Sequence, residues 1–276
     1  ILMELDQLYK KLQRPHTERL AFLQNYPNLI EQRNNLVLEE ITLLNQTGRY
    51  TEAKRKLDSH QFHPWEGGEG KVPFQYQTAR IELAKLAPAD EKYAEAIVLL
   101  NECLQYPHHL GEGKLYGAQE NDFFYLLGLC YKAMGQEDEA NKYFEQATLG
   151  PTEPAAAMYY NDAKPDKIFY AGLAFRALGD ENKARAYFNR LVDYGKQHLH
   201  EKVVMDYFAV SLPDLQIWDG SLDEANRIHC LYMLALGYAG LGDKEHSDCY
   251  LAEAASMNIN HQGIQSFKTL YNVAKF

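Results

Sequence analysis

Leu127-Gly128-x-x-Tyr131-x-x-x-Gly135-x-x-x-x-Ala140-x-x-x-Phe144-x-x-Ala147 returns 44 residues later as Ala171-Gly172-x-x-Phe175-x-x-x-Gly179-x-x-x-x-Ala184-x-x-x-Phe188-x-x-Leu191. Large and small apolar positions recur at helical spacing on both sides of one glycine, which predicts two helices joined by a tight turn. Gly135 and Gly179 stand where the first helix stops, because only a residue without Cβ reaches left-handed angles at no steric cost. The small residues at 128, 140, 172 and 184 allow the paired helices to approach closely, and the rings at 131, 144, 175 and 188 are expected to fill the space between pairs.

A third copy runs through Leu234, Ala235, Tyr238, Gly242, Ser247, Leu251 and Ala254, and a weaker fourth through Leu44, Gly48, Tyr50, Ala53 and Leu57. A degenerate fifth keeps Ala84, Ala96, Leu100 and Cys103. The pattern resembles the tetratricopeptide repeat, a helix-turn-helix unit of about 34 residues that stacks into a superhelix. Ala53, Ala96, Ala140 and Ala184 mark steps of 43, 44 and 44 residues, and Ser247 follows 63 further on. Each junction therefore carries an insertion, expected at 61–72, 106–117, 149–164 and 199–222. Gly68-Glu69-Gly70-Lys71 and Gly111-Glu112-Gly113-Lys114 lie 43 apart, in step with the helices. Such insertions project from one face of a solenoid.

The expected fold is all-α: a right-handed α-α superhelix of about six helix pairs forming a single domain over 1–276. A degenerate pair occupies 1–33, repeats fall near 34–67, 77–107, 121–154, 165–198 and 228–261, and a last helix spans 262–275. In that helix Ile264, Phe267, Leu270, Tyr271 and Ala274 share one stripe, expected to cap the open end of the stack. The 276 residues suffice because each repeat buries its face only against its neighbours.

Composition excludes several classes. A formal charge of -10 argues against nucleic acid, whose phosphates demand clustered Lys and Arg. No apolar run reaches the roughly 18 residues a membrane span needs. The four cysteines, 103, 130, 230 and 249, form no C-x-x-C pair, and Cys103 and Cys130 fall on packed helix faces. Reduced, buried thiols imply a cytoplasmic protein. Ile1 opens directly into helical pattern without a start methionine, as a piece of a longer protein would.

Phe62-His63-Pro64-Trp65-Glu66-Gly67-Gly68-Glu69-Gly70, Tyr207-Phe208-Ala209-Val210-Ser211-Leu212-Pro213-Asp214 and Asn226-Arg227-x-His229 carry a more specific resemblance. They are similar to the C-terminal repeat region of large bacterial proteins whose N-terminal domain resembles galactose-mutarotase β-sandwiches. The resemblance implies a carbohydrate context for the whole protein, carried chiefly by a domain outside this chain.

Motifs for chemistry are weak. Gly70-Lys71 and Gly113-Lys114 lack the hydroxyl that follows Lys in a phosphate-binding loop, since Val72 and Leu115 stand there. The pairs His60/His63, His108/His109 and His198/His200 have no accompanying ligands at metal spacing. Catalytic residues, metal and cofactor are accordingly read as none, and the chain as not an enzyme.

Two surfaces compete as binding sites. The first helices of a repeat line the concave groove, where the fifth position is Leu38, Tyr125, Phe169 and Tyr232. With Lys132 and Arg176 alongside, Tyr125, Phe169 and Tyr232 make a candidate groove for a protein or peptide partner. Alternatively, Trp65, Glu66, Glu69, Glu112, Trp218 and Asp219 in the insertions contribute to a sugar site, with rings to stack on and carboxylates to accept hydroxyl protons. The bland reading of those loops is that the indoles anchor them while the acids cap helix starts. Self-assembly into a homo-oligomer through an exposed end is a third alternative.

Overall fold

In the computed structural model, which describes residues 1–65, 67–156, 164–203 and 221–273, the elements found are helices and turns. Six antiparallel pairs follow one another: α1 (Leu2–Lys11) with α2 (His16–Gln24), then, after the single turn α3 (Pro27–Ile30), α4 (Asn34–Gln46) with α5 (Tyr50–Ser59). Next come α6 (Lys71–Leu86) with α7 (Tyr93–Cys103) and α8 (Asn121–Ala133) with α9 (Glu137–Ala147). The series ends with α10 (Pro165–Ala177) and α11 (Glu181–His198), α12 (Leu222–Leu241) and α13 (Lys244–Met257), and the unpaired α14 (Gln262–Val273). Each pair packs on the next, and first helices meet across pairs, α4 on α6, α8 on α10 and α10 on α12. This is an α-α superhelix.

The turn and crossing chemistry explains the middle pairs. Gly135, Gly179 and Gly242 have φ of 73, 86 and 84°, the left-handed region that ends α8, α10 and α12. A Cβ on Gly128 would stand 2.4 Å from the Phe144 ring, and one on Gly172 would stand 2.5 Å from Phe188. Each ring thus occupies the space a Cβ would take on the facing helix, and the pair closes around it.

The first pair is held differently. Arg19, fully buried, donates to Asp6 at 3.1 and 2.7 Å and to Glu39 at 2.5 Å. Asp6 is also fully buried, so the two carboxylates and one guanidinium form an ion cluster beneath α1, α2 and α4.

One expectation is refined by the contacts of the C-terminal segment. The last helix does not simply cap an end: Phe267 meets Phe169 of α10 edge-on at 5.6 Å, Ser266 hydrogen-bonds Lys85 of α6, and Tyr232 of α12 donates to the Gly263 carbonyl at 3.1 Å. It lies across the first helices. The ends of the stack also meet each other, since Asn260 takes hydrogen bonds from Arg19 and His16 and donates to the Lys10 carbonyl. Gln13 reaches the Met257 carbonyl at 3.0 Å. The physical reason is the stripe itself: Ile264, Phe267 and Leu270, 2, 5 and 4% exposed, are all taken out of water in this placement.

Candidate partner-binding surface

The row along the first helices divides in two. Tyr125 is half-buried and packs on Phe144 at 5.9 Å and Tyr170 at 5.8 Å, so it works partly between pairs. Burial pushes its hydroxyl up to about 12, with Arg176 acting in the opposite sense. Phe169 and Tyr232 are each 4% exposed, and both are covered by the C-terminal segment. Besides Phe267, Phe169 meets Phe188 at 5.8 Å, while the Tyr232 ring meets His261 at 4.9 Å. Leu38 is buried in the N-terminal core.

The cations differ as well. Lys132 is exposed near the end of α8. Arg176 is committed to a forked ion pair with Glu181, 2.8 and 2.7 Å, and its guanidinium lies 5.0 Å from the Phe188 ring centroid. An Arg176 so engaged orders the α10–α11 turn as well as charging the surface.

Residue spacing alone did not single out the polar residues that face α14. Lys85, on α6, donates to the Ser266 carbonyl at 3.1 Å, to Ser266 Oγ at 2.6 Å and to Glu82 Oε1 at 2.8 Å. Gln75 Nε2 donates to Gln262 Oε1 at 2.8 Å. The available signal was that Gln75, Glu82 and Lys85 repeat at seven and three residues on one side of an otherwise packed helix.

In the insertions, Trp65, Glu69 and Glu112 come together with His63, Pro64 and Leu110 around a cavity of about 260 Å³. The two loops are tied by the Phe62 amide donating to the His109 carbonyl at 2.8 Å and the Gly70 amide donating to Glu112 Oε2 at 2.7 Å. Gly70 is the N-cap of α6, so Glu112 places a carboxylate at a helix N-terminus, where its charge is favoured. Burial nevertheless raises its pKa, with the Gly70 amide opposing and Glu69 adding. The Trp65 ring covers Gly68, where a Cβ would stand 2.3 Å away, and packs on the N-terminal core. Glu66, Trp218 and Asp219 lie outside the described residues, as do Tyr207 to Asp214.

Among the described residues no group of three His, Cys, Asp or Glu side chains converges as a metal site would require. No helix there is long and apolar enough to cross a membrane.

Residues 122–149 and 168–194 each match a family model described as a tetratricopeptide repeat. The chain therefore carries such repeats at α8–α9 and α10–α11, units that commonly serve as protein-interaction scaffolds. Among solved structures, it is similar to Pseudomonas aeruginosa PilF, with 12% identity, 97% of this chain and 95% of that one covered, and a TM-score of 0.36. YrrB, described as a TPR protein with an unusual peptide-binding site, shows 15% identity, coverage of 90% and 98%, and a TM-score of 0.31. BtubC (BKLC) from P. vanneervenii shows 13% identity, coverage of 89% and 88%, and a TM-score of 0.35.

Proposed function

We propose that this chain is a non-enzymatic scaffold that binds a protein or peptide segment across the face made by its first helices, using Tyr125, Lys132, Phe169, Arg176 and Tyr232. The observation that supports this is α14 itself, an amphipathic helix already seated on that face through Phe169 and Tyr232. A surface that accepts one helix has the shape and apolar area to accept another. Stacked helices are rigid before binding, so little ordering entropy opposes association. The setting we propose is the cytoplasm: Cys103, Cys130 and Cys230 are buried and unpaired, and burial pushes Cys130 and Cys230 up to about 11, keeping them protonated.

A photo-crosslinking residue in place of Lys132 tests the reading against one in place of Glu145, exposed on the second helix α9. Partner capture from position 132 and not from 145 is the expected result. Equal yields from both, or capture only from 145, would move binding off this face.

A second reading has its own observation, the cavity that joins Trp65, Glu69 and Glu112. An indole and two carboxylates could hold a sugar by stacking and by accepting hydroxyl protons. Titration of oligosaccharides into wild-type and Trp65→Ala chains checks it. Heats that do not change on substitution would remove it.

A further inference from the structure

Helix α14 has no hairpin partner and meets the rest of the chain through contacts of two kinds. The first is an apolar stripe: Ile264, Phe267 and Leu270 are 2, 5 and 4% exposed and set three residues apart. The second is polar and mixed: Tyr232 and Lys85 donate to main-chain carbonyls, those of Gly263 and Ser266, while the Gln262 and Ser266 side chains bond Gln75, Lys85 and Glu82. Any helix with the same stripe would offer the same carbonyls.

One group at this junction is badly served. Glu82 is 2% exposed; its Oε1 accepts from Lys85 and Ser266, while its Oε2 is buried with no hydrogen-bond partner. A buried acceptor left unmade costs more than an average hydrogen bond returns. Ser266 accepts from Lys85 and has a single hydroxyl proton, which goes to Oε1, so it has none for the second carboxylate oxygen. A second cation there is disfavoured, because Lys85 Nζ already stands 2.6 Å from Ser266 Oγ. A side-chain amide fits both demands: its oxygen accepts from Lys85, and its NH2 donates to Glu82 Oε2.

Building on the scaffold reading, we propose that α14 is a resident, displaceable ligand of the first-helix face. The partner that replaces it is an amphipathic helix with apolar residues at the spacing of Ile264, Phe267 and Leu270 and an Asn or Gln at the position of Ser266. The chain thereby limits its own binding: a partner gains the face only by outcompeting a tethered helix that satisfies it incompletely.

The test uses the full chain and fluorescent peptides of residues 258–273. One receptor is wild type; the other carries Phe267→Ala with Leu270→Ala, which loosens α14 and leaves the receptor side untouched. The native peptide should bind the loosened chain about tenfold more tightly than wild type, the difference being the competition removed. A peptide with Ser266→Gln should bind about threefold more tightly than the native one, and one with Ser266→Ala more weakly. Equal affinity for both receptors, or no gain from Gln, overturns the proposal. If the loosened chain unfolds, amide exchange on wild type decides: α14 should exchange well ahead of α10 and α12, and equal protection refutes displacement. Peptide failure with crosslinking from position 132 intact removes only this inference; loss of both removes the scaffold reading as well.

Discussion

The pairs α8–α9 and α10–α11 close around rings laid on glycine, whereas α1, α2 and α4 close around buried charge. In the first case Phe144 covers Gly128 and Phe188 covers Gly172, partners 16 residues apart within one repeat. In the second, Arg19 gathers Asp6, Glu39 and Asn260 from three other places in the chain. The apolar crossing gains from every contact made, but the ionic one gains only while its whole set is present, because each member was stripped of water to be there. The two regions should therefore fail differently when one group is removed.

Arg19→Met gives the largest expected effect. It leaves the Asp6 and Glu39 carboxylates buried beside an apolar chain, a loss of about 3 to 5 kcal/mol in urea unfolding. Replacing Asp6, Arg19 and Glu39 together by apolar residues should recover most of that loss. A single substitution costing under about 1 kcal/mol would mean that water already reaches the cluster and that the contrast between the regions is false.

Next comes a titration where the two ends meet. His261, edge-on to Tyr232 and next to Asn260, has its pKa lowered from 6.5 to about 4 by burial, with His229 and Lys164 adding to the effect. The folded state disfavours the proton, so this contribution to stability is present above pH 6.5 and is lost as pH falls toward 4. His16, also lowered chiefly by burial, acts in the same sense. Between pH 7 and pH 5 the His261 share is about 2 kcal/mol. Unfolding curves at the two pH values, with and without His261→Gln, measure it; identical slopes for the two proteins would place His261 in solvent.

The contrast also explains what could be read from the residues alone. Gly135, Gly179 and Gly242 mark helix ends because backbone angle is a property of one position; Gly128 and Phe144 were legible as repeat positions but not as partners, since spacing put the ring between pairs and the structure puts it on Gly128 within one repeat. The Gly-Glu-Gly-Lys insertions were visible as a repeat, but not the job of Glu112, which accepts from Gly70 in the preceding insertion. The stripe of Ile264, Phe267 and Leu270 announced an amphipathic helix without saying what covers it, since Phe169 and Tyr232 are equally apolar whether facing solvent-borne partners or α14. The Arg19 cluster was illegible for the same reason: Arg19 and Glu39 carry no local pattern, and only the closed path of the superhelix brings Asn260 to them.

Two glycine substitutions sharpen the apolar side. Gly172→Ala forces a methyl against the Phe188 ring at 2.5 Å, in a crossing with no slack. Overpacking of this kind costs about 1 to 3 kcal/mol, and the better helix propensity of alanine returns up to about 1, leaving a net loss near 1.5 kcal/mol. The smallest effect is expected at Gly179→Ala. Nothing lies within 4 Å of a Cβ there, so the only penalty is φ of 86° for a residue with a side chain. That conformation costs about 1 kcal/mol, and it should appear as faster unfolding without any change in the near-UV spectrum of the packed rings. If Gly179→Ala instead proves worse than Gly172→Ala, the turns and not the ring-on-glycine crossings hold these hairpins together, and α8–α11 would differ from the N-terminal pair in turn geometry alone.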